Sequence, residues 1–274
     1  MSPPVMGGIA IKRSSVSYGP ERLLSVIDAF LSSGLPVLDL RDSWDRLLKK
    51  DEILRRIREA KEAIIIGRFI GLYPNFENII NQAYSLRTLL GRPIDVFEVK
   101  LPFALVSFDE TLRGIKKALS DGIVESFGFI GWSLRAFKMV HEKDLLNRLH
   151  HFKIEVNFFR QNGISLAKAI SGLNIKVFSS SPLHGGRISE RGYRSSLTRL
   201  FYSSKFEILR SISRRLNLSI SQVALIWLAH NGISYAPSTS VREHVIEIAD
   251  SLRGSRERTC GMTWNPGEQL TSSL

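Results

Sequence analysis

Two hydrophobic periods alternate along this chain. Short runs that are apolar almost throughout (GGIAIK, PVLDL, AIIIGRFIG, IDVFEVKLP) take turns with longer stretches whose apolar residues return every three or four positions (PERLLSVIDAFLSSG, FENIINQAYSLRTLLG). The first kind predicts strands buried on both faces, the second amphipathic helices. The clearest unit runs from Ile94 to Gly131: a strand, the helix SFDETLRGIKKALSDG and the strand IVESFGFIG. Ser107 and Glu110 stand at capping-box spacing ahead of Leu112, Ile115 and Leu119, and Gly122 follows the last turn, where a left-handed cap is wanted. Strand, helix and strand joined this closely imply a right-handed crossover between parallel strands.

The pattern continues through the helix SLRAFKMVHEKDLLNRL, the strand FKIEVNFF, the helix ISLAKAISGL and the strand IKVFSSSPL. After these come two further helices, the strand ISYAPSTS and the helix VREHVIEIADSLRG. Eight strands and at least eight helices result. One long stretch, HGGRISERGYRSSLTRLFYSS, reads as irregular, and such a length is usually functional or mobile. Eight alternating units favour closure into a (β/α)8 TIM barrel, a single α/β domain. An open doubly wound sheet would show a glycine-rich fingerprint after the first strand, which GGIAIKRSSVSYG lacks. Residues 255–274 lose periodicity and are expected to be a loosely packed tail.

Composition narrows the classes. At 274 residues and 43% hydrophobic content the chain can bury a large core. No apolar run is long enough for a signal peptide or a membrane span, so a cytoplasmic protein with no membrane partner is expected. Cys260 is the only cysteine, which excludes disulfides within the chain and cysteine-based zinc sites. The net charge of +12 invites a nucleic-acid reading, but the basic residues are spread over helix faces (Arg55, Arg56, Arg58; Arg214, Arg215) without a recognition motif. No specific nucleic-acid partner is expected.

In a barrel of this kind chemistry gathers at the carboxyl ends of the strands. Asp39, Arg68 and Lys100 each end an otherwise apolar strand, where a lone charge would be costly to bury. Two readings stay open: an ion network that closes the mouth, or a surplus positive charge that takes a small anionic ligand. Ser240 and Glu243 have capping-box spacing before the last helix, whose amino terminus would suit a phosphate. His150 and His151, at a helix-strand junction, read as a helix-end cap and not as a metal site, and no metal is expected.

In order, PVLDLRDSW, AIIIGRF, IDVFEVKLP, DETLRGIKKALSDGIVESFGFIGWS, IEVNFF, VFSSSPLHGG, SQVALIWLAHNGISYAPSTS and EHVIEIADSL resemble the aldo-keto reductases from the second strand to the last helix. The resemblance implies a barrel that reduces carbonyls with NADPH through an aspartate, a proton-donating tyrosine, a lysine and a histidine. Asp39 matches the aspartate, but the other positions fall on Trp44, Arg68 and Lys100. The positions implied for the cofactor are Asn157, Ser180, Pro182, Leu183, Ser238, Thr239 and Glu247. Among them Ser180 stands where the family stacks a tyrosine on the nicotinamide. Ile130-Gly131 and Phe158 stand where it holds the carboxamide, and Ser238 and His244 where it holds the 2'-phosphate. An indole N–H cannot release its proton near neutral pH, so Trp44 cannot serve as general acid. Two functions therefore remain: a barrel that has lost standard reduction and binds a small anion, or a divergent NADP-dependent oxidoreductase acting on a carbonyl with its proton donor moved, for instance to Tyr73 or Tyr202.

Overall fold

The computed structural model describes residues 3–12, 16–17, 19–47, 50–101 and 107–258. Its strands are β1 (Gly8–Ala10), β2 (Val37–Arg41), β3 (Ile64–Arg68), β4 (Ile94–Lys100), β5 (Val124–Ile130), β6 (Leu149–Ile154), β7 (Lys176–Ser179) and β8 (Ser234–Tyr235). They lie side by side in chain order, each neighbouring pair parallel. The ring closes where Tyr235 N–H donates to the Met6 carbonyl and Ala10 N–H to the Pro237 carbonyl, both at 3.0 Å. This is the single-domain (β/α)8 barrel that the alternation predicts.

The helices are α1 (Pro20–Ser33), α2 (Trp44–Leu47), α3 (Asp51–Glu59), α4 (Phe76–Leu90), α5 (Phe108–Ser120), α6 (Leu134–Glu142), α7 (Ile164–Gly172), α8 (Glu190–Arg194), α9 (Ser196–Leu216), α10 (Ile220–His230) and α11 (Arg242–Arg258). Gly122, after α5, has the expected left-handed φ of 63°. The capping box at its other end does not form: Ser107 makes no side-chain cap bond, and Glu110 pairs with Arg113 on the exposed face. A capping box does open α10, where the Ser219 hydroxyl accepts from Gln222 N–H while the Gln222 side chain accepts from Ser219 N–H.

Three boundaries differ from the sequence reading. The irregular stretch after β7 contains a 3-10 turn at His184–Gly186, then α8 and the start of α9, which kinks at Tyr202 and runs on into the helix expected from Phe206. Its apolar residues Leu197, Leu200 and Phe201 have helical spacing but face outward, so the segment lacks the core-facing stripe that marks a helix in sequence. Strand β6 starts at Leu149 and so takes in His150 and His151, which cap no helix. Helix α11 runs through Arg258, so residues 255–258 are not loose; 259–274, Cys260 and Pro102 lie outside the described residues.

Most of the core lies between sheet and helices, but Val37, Ile66, Val96 and Phe178 form a separate apolar cluster. These four belong to β2, β3, β4 and β7, and their contact across the ring makes them one layer of the barrel interior. Strand side chains alternate with period two, so the residues two further along β2, β3 and β4 face the same interior one layer nearer the mouth. They are Asp39, Arg68 and Glu98. Close packing from outside sets the level of β3: a Cβ at Gly67 would lie 2.0 Å from Leu86 Cδ2, so only glycine lets α4 approach here. No helix among the described residues is long and apolar enough to cross a membrane.

Candidate functional site

The layer above the apolar cluster is ionic. Arg68 donates through Nε (3.1 Å) and Nη2 (2.9 Å) to Glu98 Oε2. Lys153, from β6, reaches Asp39 Oδ2 at 2.9 Å and also pairs with Glu98 Oε1. Asp39, Glu98 and Lys153 are at most 4% exposed. Two carboxylates thus meet two cations, so these four groups balance, and the surplus positive charge expected from Asp39, Arg68 and Lys100 rests on Lys100, whose side chain is exposed. Burial alone would raise the Glu98 pKa, but Lys153 and Arg68 outweigh it and hold the carboxyl well below its ordinary value.

The chain of contacts continues downward. His151 Nε2 lies 2.9 Å from Glu98 Oε1, and His150 Nδ1 lies 2.9 Å from His151 Nδ1. An ionised carboxylate only accepts, so His151 carries its proton on Nε2 and its Nδ1 accepts from His150. Room for the His151 ring comes from Gly128 on the neighbouring strand, where a Cβ would stand 2.6 Å from the imidazole. Burial first, then the neighbouring His151, pushes the His150 pKa down to about 2, and burial also lowers that of His151.

These shifts make stability acid-sensitive. Between pH 6.5 and the depressed folded values the unfolded chain binds protons that the folded chain refuses, so stability rises with pH and levels off above about 6.5. The expected loss is about 1.4 kcal/mol per pH unit per histidine. Urea unfolding between pH 7.5 and 5 checks this: the midpoint should fall below pH 6.5, and His150→Asn should flatten the slope. A midpoint that stays constant over that range would contradict it.

At the mouth itself, Trp44 opens the short helix α2 and is 4% exposed, with its indole N–H donating to the Arg68 carbonyl at 2.7 Å. Asp39, Trp44 and Arg68 are therefore brought together. Lys100, at the end of β4, has an exposed side chain outside the Asp39–Lys153–Glu98–Arg68 contacts. Of the two tyrosines considered as relocated donors, Tyr73 is 52% exposed. Tyr202 stacks on Phe159 at 4.3 Å, with its hydroxyl 3.3 Å from His184 Nε2.

A trough runs beside this layer along the ends of β7 and β8. One part, of about 300 Å³, is bordered by Lys12, Arg41, Ser180, Pro182, Leu183 and Ser238, and its described lining holds no carboxylate. It continues through Leu183 and Ser238 into a part of about 500 Å³ that reaches Arg191, Thr239, His244 and Glu247. Six of the seven residues implied for a cofactor therefore border one trough. Asn157 does not: it is fully buried, its amide nitrogen donates to the Ser181 carbonyl and its oxygen accepts from Phe159 and Arg160 N–H, so it fixes the turn beneath the trough. At the start of α11 the hydroxyl that accepts a backbone proton, from Val241 at 3.0 Å, is that of Thr239 and not of Ser240.

Arg41 joins the trough to the ionic layer. A register shift between Asp39 and Arg41 sets it at a bulge of β2, with a left-handed φ of 51° that costs a non-glycine residue about 1 kcal/mol. Its N–H donates to Asp39 Oδ1 at 2.8 Å and its Nη1 to Ser238 Oγ at 3.0 Å, while its buried Nε has no partner among the described residues. Sequence reasoning missed Glu98, Lys153, His151 and Arg41. The first two had a signal: each is a charge set between bulky apolar residues of a strand, as Asp39 is.

Among the described residues no cluster of histidine, cysteine and carboxylates has the makings of a metal site. No curated protein matches the sequence. Solved structures do match in fold. An aldo-keto reductase from Klebsiella pneumoniae in complex with NADPH superposes with a TM-score of 0.70 at 14% identity, covering 99% of this chain and 94% of that one. An aldo/keto reductase from Brucella melitensis gives 0.70 at 16% identity over 97% and 92%. The aldose reductase from Schistosoma japonicum gives 0.67 at 14% identity over 99% and 93%. The sequence model of the aldo/keto reductase family matches residues 74–255, starting after the segment that holds Asp39, Trp44 and Arg68. With two thirds of its length matched in sequence and its barrel matched nearly end to end, the chain belongs to the aldo/keto reductase family.

Proposed function

We propose that this barrel binds a phosphate-bearing dinucleotide of the NADP class along the β7–β8 trough and does not use it for tyrosine-driven carbonyl reduction. One observation carries the reading: around Asp39 the polar groups answer one another, with Trp44 N–H on the Arg68 carbonyl, Lys153 on Asp39 and Arg68 on Glu98. No mobile proton stands at the position five residues after Asp39.

The trough suits phosphates. In the part bordered by Lys12 and Arg41 these two supply positive charge and the described lining holds no carboxylate, and Gly185 and Gly186, at φ 67° and 85°, let the backbone come close. The nicotinamide end fits poorly: Ser180 offers no ring to stack on, Phe158 is buried and apolar, and Asn157 is bonded to backbone. A bound NADPH would bring a hydride, but the chain's residues favour its phosphates and no hydride transfer is assigned to this site. The anionic ligand expected at Arg68 and Lys100 is thereby moved to Lys12 and Arg41.

The test is a titration with NADP⁺ and with 2',5'-ADP, followed by NADPH consumption with an aromatic aldehyde. Both nucleotides should bind with similar affinity, since the nicotinamide adds little, and consumption should not exceed the buffer rate. No binding at millimolar nucleotide would end the reading. Aldehyde-dependent consumption that disappears in Tyr202→Phe would favour the divergent oxidoreductase instead, for which the Tyr202–His184 contact speaks.

A further inference from the structure

Nine large apolar side chains are exposed among the described residues, and six of them, each more than half exposed, follow the carboxyl ends of strands: Leu72 and Tyr73 after β3, Leu134 after β5, and Leu197, Leu200 and Phe201 after β7. In a parallel barrel those ends share one face, the mouth. The last three stand 70–74% exposed at helical spacing, so they form one stripe on α9. That stripe is held at the mouth by the residues next to it. Tyr202 stacks on Phe159 just beyond β6, and Lys205 Nζ donates to the Phe159 carbonyl at 2.6 Å. Exposed apolar groups gathered at one end, and not scattered singly, mark an interaction surface.

The charges beside the stripe identify the partner. Arg187, Arg191 and Arg194 are exposed on the segment that leads into α9 and outnumber its one exposed carboxylate, Glu190, and Arg135 follows Leu134 directly. We infer that the outer rim of the mouth rests on an anionic lipid bilayer, with Leu200 and Phe201 entering the boundary between headgroups and acyl chains and the arginines meeting lipid phosphates. Apolar tips from three separate segments, flanked by cations, suit a fluid negative surface better than the continuous groove a protein ligand needs. A chain charge of +12 adds attraction at longer range. That no described helix is long and apolar enough to span a membrane is compatible with this, because peripheral binding needs none.

Flotation of the full chain with vesicles at physiological salt tests the inference. The protein should rise with vesicles of phosphatidylcholine and phosphatidylglycerol and stay behind with phosphatidylcholine alone. Leu200→Glu with Phe201→Glu, and separately Arg187→Glu with Arg194→Glu, should each weaken binding about tenfold or more. All four side chains are exposed, so the thermal midpoint should not move, and an unchanged midpoint separates lost binding from lost fold. No flotation with anionic vesicles would overturn the inference, as would flotation that Leu200→Glu with Phe201→Glu leaves intact. A dimer in solution that those same substitutions dissolve would assign the stripe to a second copy and overturn it too.

Discussion

Glu98→Leu should destabilise the barrel by about 3–5 kcal/mol, because it leaves Arg68 and Lys153 facing a single carboxylate in the interior. For a chain of this size that corresponds to a fall of roughly 6–20 °C in the thermal midpoint. Glu98 is fully buried and holds three partners at once (Arg68, Lys153 and His151), so water cannot enter to replace it. Adding Lys153→Met to Glu98→Leu should restore part of the loss, since Asp39 then keeps Arg68 as its counter-charge and the removed pair gives way to apolar volume. Thermal and urea unfolding of the two single variants and the double variant measure the coupling. A Glu98→Leu protein within about 1 kcal/mol of the parent would mean that the layer is not held by charge pairing.

Arg41→Gly should separate binding from folding. Glycine adopts a φ of 51° without strain, so the bulge of β2 is kept and stability should be equal or slightly higher. The trough, however, loses a guanidinium with an unpartnered buried Nε, and a charged hydrogen bond of about 1.5–3 kcal/mol corresponds to a 10- to 100-fold weaker hold on 2',5'-ADP. Isothermal titration of both proteins at one ionic strength reads the difference. Equal affinities would remove Arg41 from the binding site, and with it the main cation of the phosphate reading.

The sequence carried the barrel plainly because its two hydrophobic periods do not overlap. AIIIGRF cannot be an amphipathic helix, and FENIINQAYSLRTLL cannot be a strand. It was less informative wherever a residue's role depends on what lies across the ring. Asp39 and Arg68 could be seen as charges at strand ends, but their partners are Lys153 and Glu98, 114 and 30 residues away, and no local pattern names a partner across a barrel. Lys100 looked equivalent to Arg68 because both end a strand, yet it has an exposed side chain where Glu98 is fully buried. The start of helix α9, up to residue 204, was read as loop for a physical reason: its first turns have no buried face, so the usual cue of an amphipathic stripe is missing, whereas the rest, from Phe206, was read as helix. The bulge at Arg41 left no trace either, because a left-handed arginine has no composition signal of the kind that glycine or asparagine gives.

The ionic layer also bears on how this barrel meets heat. Hydration of charged groups becomes less favourable as temperature rises, so the cost of keeping Asp39, Arg68, Glu98 and Lys153 dry shrinks just where apolar burial stops gaining strength. An interior floored with valine and phenylalanine and roofed with paired ions therefore combines two supports with opposite thermal trends, and the roof contributes relatively more at the hot end of the stability curve than at the cold end.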